Sequence, residues 1–130
     1  MTNFLNPPSV HPTGGAYSHS AAVPAGTDLV FLSGQVGLRP DGSIAATIGE
    51  QSDQVFSNIS AVLAAHGLDA KSLVKITAFR AAGQDIQAFR AARTRFLGGH
   101  APTSTVVYVS QLVDPAWHVE VEAIAARPAA

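Results

Sequence analysis

The chain contains no cysteine, which excludes disulfides, thiolate metal sites and a cysteine nucleophile. It also carries little charge: 13% of its residues are charged against 47% hydrophobic, and the formal net charge is −1. The eight lysines and arginines form no run and are hardly interleaved with aromatics, so the phosphate-neutralising track that a nucleic acid requires is missing. No apolar stretch approaches the ~20 residues of a membrane-crossing helix. The opening MTNFLNPPSVHP has neither the basic nor the apolar region of a signal peptide. A cytoplasmic protein without nucleic-acid or membrane partners is expected. The five histidines (His11, His19, His66, His100 and His118) show no paired ligand spacing, so neither a metal site nor a cofactor is expected. SGQVG lacks the spacing of a phosphate-binding glycine loop, and no serine sits in a nucleophile elbow. What remains, at 130 residues, is a single domain over residues 1–130, long enough for a real core. So few charges also hint at surface hidden against further copies of the chain.

The most informative stretch is PTSTVVYVSQLVDPAWHVEVEAIAA, residues 102–126. It predicts two strands, 103–112 and 118–125, joined by a proline-containing turn, because Val and Thr enrichment and strict alternation suit a pleated, half-buried surface. Alternation puts Ser104, Val106, Tyr108 and Ser110 on one face, and Thr103, Thr105, Val107 and Val109 on the other. On the last strand His118, Glu120, Glu122 and Ile124 share a face opposite Val119, Val121 and Ala123. Two carboxylates on that face stand only ~6.5–7 Å apart, so in a cleft each should want a cationic partner.

Residues 1–15, rich in Pro, Gly and Asn, read as an irregular lead-in. Residues 17–23 and 28–33 are strand candidates separated by a turn at 24–27. Arg39-Pro40-Asp41-Gly42 is a tight turn, with a short return strand expected at 43–46. Thr47-Ile48-Gly49-Glu50 is a capping-box pattern that starts a helix. In it Val55, Ile59, Val62 and His66 recur at helical spacing, widened by Phe56 and Leu63. Gly67 stands where a C-terminal cap glycine belongs, and His66 beside it is structural in this reading. LVKITAF, residues 73–79, is the next strand, and residues 85–97 form the second helix.

That second helix contains an anomaly. Ile86, Phe89, Phe96 and Leu97 make its apolar stripe, yet Arg93 falls in the middle of the stripe and Arg90 at its edge, whereas Arg95 points away. Either Arg93 meets a carboxylate or a polar backbone group near the sheet edge, with Glu120 or Glu122 the leading candidates, or its stem covers apolar surface while its head reaches the rim. The element order implies an α+β fold, with two helices covering one face of a mixed sheet and a homo-oligomer covering the other.

Ala16-Tyr17-Ser18, Leu32-Ser33-Gly34-Gln35-Val36, residues 54–58, Leu73-Val74-Lys75, Pro102 and Val119-Glu120-Val121-Glu122-Ala123-Ile124-Ala125 together resemble the RidA (YjgF) family. The SGQ tripeptide and the VEVEAIA ending, at this separation, are jointly specific. The resemblance implies a chorismate-mutase-like fold, a homotrimer, and small-molecule clefts between subunits. In deaminating members, water hydrolyses an enamine or imine derived from an amino acid to a keto acid and ammonia. By resemblance, Tyr17 is the cleft tyrosine and Ser33 and Gly34 belong to the substrate-binding SGQ strand. Glu120 is the last-strand glutamate that places the water. Where those members read Pro-Ala-Arg, this chain reads Pro102-Thr103-Ser104, followed by Thr105. Ser104 thus stands at the position of the arginine that clamps the substrate carboxylate, and Arg90 stands at the position of a helix asparagine. The pattern looks like a divergent branch in which Arg90 or Arg93 replaces the missing cation, with Ser104 and Thr105 beside it.

Three functions follow. The chain hydrolyses a small imine, enamine or related carbonyl metabolite with Glu120 and Tyr17 as catalytic groups; or it is a ligand-binding or regulatory trimer without turnover; or, least favoured by its neutral charge, it is a ribonuclease.

Overall fold

In a computed structural model describing residues 1–128, β1 (Asn3–Leu5) and β2 (Ser20–Ala22) form a small antiparallel ladder. They are followed by β3 (Asp28–Val36), α1 (Ile48–Ala65), β4 (Leu73–Ala81), α2 (Ile86–Leu97), β5 (Thr103–Val109) and β6 (Val119–Arg127). The main sheet runs β3-β6-β4-β5, with β3 and β5 at its edges. β6 is antiparallel to both neighbours, whereas β4 and β5 are parallel and joined through α2. This is the expected α+β arrangement, two helices on a mixed sheet. β1 is a departure: it lies inside the segment read as irregular, because three residues paired to a distant partner leave no periodicity to read. At 43–46 there is only an isolated bridge, Leu38 to Ile44. β5 stops at Val109, three residues earlier than expected.

The helix ends follow their local chemistry. Thr47 accepts the Glu50 N–H at 3.2 Å, satisfying one of the donors that a helix start leaves free. At the other end Gly67 takes φ +70°, and the Leu68 and Gly67 N–H groups close on the Leu63 and Ala64 carbonyls. α2 starts at Asp85, which accepts the Gln87 N–H at 2.8 Å, and ends at left-handed Gly98.

One face of the sheet meets the helices. Val55, Phe56, Ile59 and Leu63 of α1 and Phe89, Ala92 and Leu97 of α2 pack on Val30, Leu32, Ile76, Ala78, Val119, Val121 and Ala123. Phe56 stacks on Phe96 at 4.8 Å between ring centroids. The other face carries Leu29, Phe31 and Val107, at 48%, 70% and 40% exposure, together with Lys75, Thr77, Glu120 and Glu122. Nothing in the described residues covers it.

One buried polar side chain fixes the loops to this core. Gln51, fully buried in the first turn of α1, donates to the Ala45 and Ala116 carbonyls at 2.8 and 3.0 Å and accepts the His118 N–H at 2.8 Å. It thereby ties the start of the helix to the β5–β6 connection. Gln51→Leu should cost ~2–4 kcal/mol, since it orphans several buried backbone groups. Arg95→Ala, which breaks an exposed pair with Asp53, should cost less than ~1 kcal/mol. Chemical denaturation of both variants checks this, and similar small losses would refute the role given to Gln51.

Candidate functional site

Ser18 is buried and tied to the entrance of β5. Its N–H donates to the Pro102 carbonyl at 3.1 Å, its hydroxyl to the Ala101 carbonyl at 2.6 Å, and it bridges in parallel to Thr103. This anchoring holds the preceding residue, Tyr17, over the β5 edge on the helix side. Beneath it lies a cavity of about 490 Å³ lined by Thr13, Ala16, Tyr17, Arg80, Ile86, Phe89, Arg90, Arg93, Ser104 and Val106. Three of these residues are arginines and none is acidic.

The arginines arrive by two local rules, strand alternation for Arg80 and helical spacing for Arg90 and Arg93. Arg80 follows Val74, Ile76 and Ala78 in the buried phase of β4, so alternation delivers its charge to the helix-covered face. It is 3% exposed. Its guanidinium lies 4.3 Å from the Tyr108 ring centroid and 5.6 Å from that of Phe89. Nη1 reaches the Tyr108 hydroxyl at a weak 3.4 Å, and Nε has no partner. Arg93 is half-buried, its Nη2 donating to the Ala16 carbonyl at 2.9 Å and its Nε unpartnered. Burial, and then the neighbouring Arg90, lower the Arg93 pKa from its usual value, yet a guanidinium remains charged at any physiological pH. Arg90 is exposed at the mouth. The Ser104 hydroxyl is also buried without a partner.

The expected pairing of Arg93 with Glu120 or Glu122 is not formed. Helical spacing correctly turns Arg93 inward, but both acids are on the sheet face away from α2, out of phase with buried Val119 and Val121. A helix on one face cannot reach a carboxylate on the other. Arg93 meets the expected alternative instead, a polar backbone group near the sheet edge, the Ala16 carbonyl.

The remaining expected site residues form a second cluster. Gly34 lies at an irregularity in the β3–β6 register between Leu32 and Gln35. A β-carbon there would overlap the Glu120 carboxylate, so glycine is required for this close approach. Ser33 is exposed on the same strand. Thr105 is exposed on the open face, where its hydroxyl accepts from Lys75 Nζ at 2.8 Å, away from the cavity. The chain therefore brings Tyr17, Arg90, Arg93 and Ser104 together, and separately Gly34 and Glu120, on opposite faces and towards opposite edges of one sheet. Arg80 escaped the sequence reading, although the alternation of LVKITAFR already placed a charge in a buried phase. Among the described residues no cluster of acids and histidines could hold a metal ion, and no helix is long and apolar enough to cross a membrane.

A mixed four-stranded sheet with two helices on one face and a polar cavity at its β5 edge defines a chorismate-mutase-like α+β domain. The chain belongs to the RidA (YjgF) family: the family model described as Endoribonuclease L-PSP matches residues 9–127. Protein HMF1 of Saccharomyces cerevisiae is 33% identical over 116 residues, 86% of this chain and 84% of the yeast protein. The 2-iminobutanoate/2-iminopropanoate deaminase of Dermatophagoides farinae is 32% identical over 108 residues, 82% of this chain and 83% of that one. Among solved structures, YyfB of the conserved Rid protein family from Yersinia pestis superposes with a TM-score of 0.86 over 95% of this chain and 97% of that one. At 23% identity it speaks for the fold. Escherichia coli TdcF with bound serine gives a TM-score of 0.72 at 30% identity, over 95% and 94% of the two chains.

The fit of Gly34 against Glu120 is directly testable. The overlapped atoms belong to the outer end of a flexible side chain, so Gly34→Ala should cost less than ~1 kcal/mol while swinging the carboxylate away. A crystal structure of the variant with Glu120 unmoved would refute the close-approach argument.

Proposed function

We propose that this protein hydrolyses a small, reactive imine or enamine metabolite in a site that two copies complete. The observation that carries the reading is the division of the site: the Tyr17 cavity opens at the β5 edge, whereas Gly34 and Glu120 lie towards the β3 edge. Two unlike edges meet when copies join head to tail, and such contacts give a ring when the rotation from copy to copy closes. A homotrimer of this kind would also cover Leu29, Phe31 and Val107, large apolar side chains of the open sheet face that an isolated chain leaves wet. In such an assembly the cavity of one copy faces the Glu120 carboxylate of the next. The setting proposed for this chemistry is the cytoplasm.

The reaction needs a bound carbonyl-type carbon, a placed water and a base. The arginine-lined cavity holds an anionic substrate, and Tyr17 hydrogen-bonds its head. Water adds to the C=N carbon while Glu120 takes one of its protons. The proton passes to the nitrogen, the C–N bond breaks, and ammonia leaves as the C=O bond forms. One imine and one water thus give one carbonyl compound and one ammonia, the water oxygen staying on carbon and both water hydrogens leaving on nitrogen. An enamine enters the same path after tautomerising to the imine.

Non-catalytic ligand binding is the second reading, favoured by Ser104, an uncharged residue at the position where the resemblance puts the deaminases' carboxylate clamp. Losing a bidentate clamp removes orientation as well as affinity. Ribonuclease action is disfavoured by the net charge of −1 and the lack of a basic track.

Ammonia and keto-acid release from imines generated in situ separates the first two readings. Glu120→Gln should lower kcat ~100-fold or more while leaving ligand-dependent melting intact. If no imine is hydrolysed faster than in buffer, the hydrolase reading fails and the binding reading stands. Light scattering should give a trimer, and a stable monomer at micromolar concentration would remove the composite site altogether.

A further inference from the structure

The cavity beneath Tyr17 holds more positive charge than one carboxylate can balance. Its three guanidiniums come from a strand and a helix, and no Asp or Glu lines it. The two ion pairs in the described residues, Arg95 with Asp53 and Arg127 with Asp28, involve none of the three. Arg80 is the decisive member. It is 3% exposed, and among the described residues only one of its five N–H donors is engaged, weakly, by the Tyr108 hydroxyl. The Phe89 and Tyr108 rings favour a cation between them, but ring faces do not replace acceptors for in-plane N–H groups. Nε of Arg80, Nε of Arg93 and the Ser104 hydroxyl are all buried and unpartnered. Three residues of one cavity lining thus each carry a buried, unsatisfied polar atom, a concentration that calls for an explanation. A buried cation without a counter-ion is costly, and an anion in the cavity would relieve that cost for Arg80 while meeting half-buried Arg93 in the same lining.

We propose that the cavity takes a small ligand bearing two negative charges, a dicarboxylate or a phosphate monoester, with Arg80 as the buried anchor, Arg93 as the wall and Arg90 as the gate. A monocarboxylate would leave two of the three guanidiniums unbalanced, whereas a dianion leaves one, at the solvent-exposed mouth. A volume of about 490 Å³ accommodates a metabolite of this size. The inference rests on reading the cavity as the substrate pocket and narrows the substrate from an anion to a dianion. It also gives Arg80, a β4 residue, the role of selecting ligands by charge.

Calorimetry and thermal melting of the full chain with succinate, 2-oxoglutarate and glycerol 3-phosphate, against acetate and pyruvate as monoanions, test the idea. Dianions should bind at least about tenfold more tightly than the monoanions, with affinity falling as salt rises. Whether the dicarboxylates or the phosphate ester bind more tightly distinguishes the two forms of dianion. Arg80→Met should remove the preference with assembly unchanged, and Arg90→Ala, at the exposed mouth, should weaken dianions more than monoanions. If Arg80→Met does not fold, Arg80→Lys and the Arg90 variant carry the test. Equal affinity for mono- and dianions, or dianion binding that survives Arg80→Met, would overturn the proposal. So would loss of assembly in Arg80→Met without any dianion effect in the parent, which would make the counter-ion a carboxylate of a neighbouring copy. Dianion binding without ammonia release from any imine would sink the hydrolase reading and leave this one standing. Rapid turnover of monoanionic imines without a charge preference would do the reverse.

Discussion

β6 runs through the interior of the sheet, hydrogen-bonded to β3 on one side and β4 on the other. Its period-two alternation decides where the other polar side chains can act. Val119, Val121, Ala123 and Ala125 are buried against the helices. Their register therefore commits Glu120 and Glu122 to the far face, and a slip of one residue would drive both acids into the core. The same phase on β4 and β5 sends Arg80, Ser104 and Val106 to the helix side and Lys75, Thr77 and Thr105 to the other. Separation of Glu120 from the cavity is thus a consequence of core packing. It also explains why Glu120 and the Tyr17 cavity lie apart within one copy of the chain.

The cavity itself depends on a second tie, the stitching of Ser18 to Ala101 and Pro102. This tie closes the side of the β5 edge with residues from the N-terminal segment, and the Ala16 carbonyl then becomes the partner of Arg93. The three-residue β1–β2 ladder supports the same segment from its other end, with the Asn6 side chain accepting the His19 N–H at 2.8 Å. The wall of the pocket is consequently held by a few hydrogen bonds between segments distant in sequence, laid over the packed core. Such contacts open more readily than the core beneath them.

Local signals carried much of this arrangement in the sequence, while relations between elements did not show. The Thr47 capping box, Gly67 and the apolar stripe placed α1 almost to the residue, because caps and periodicity are properties of neighbouring positions. Alternation along VEVEAIA correctly separated Glu120 from Val119. Which face α2 would cover was not readable, so the inward phase of Arg93 and the acidity of the last strand combined into a pair that the sheet keeps apart. Gln51 and β1 were invisible for a related reason: their partners lie at Ala116 and His118, and at Ala22, with nothing local to announce them. Arg80 was different. A charged residue in the buried phase of an otherwise apolar strand is a local conflict, and conflicts of that kind tend to mark functional positions.

The chain has only two tyrosines and one tryptophan, and both tyrosines border the arginine cavity. Tyr17 forms part of its lining, and the Tyr108 ring lies 4.3 Å from the Arg80 guanidinium. Trp117 belongs to the β5–β6 connection, beside the anchor points of Gln51. The ultraviolet spectrum of the protein is therefore divided by position: phenol absorbance and emission originate at the pocket, and indole emission at the loop. An anion bound against Arg80 would change the field across the Tyr108 ring, so the proposed occupancy of the cavity would have a built-in optical reporter that needs no label.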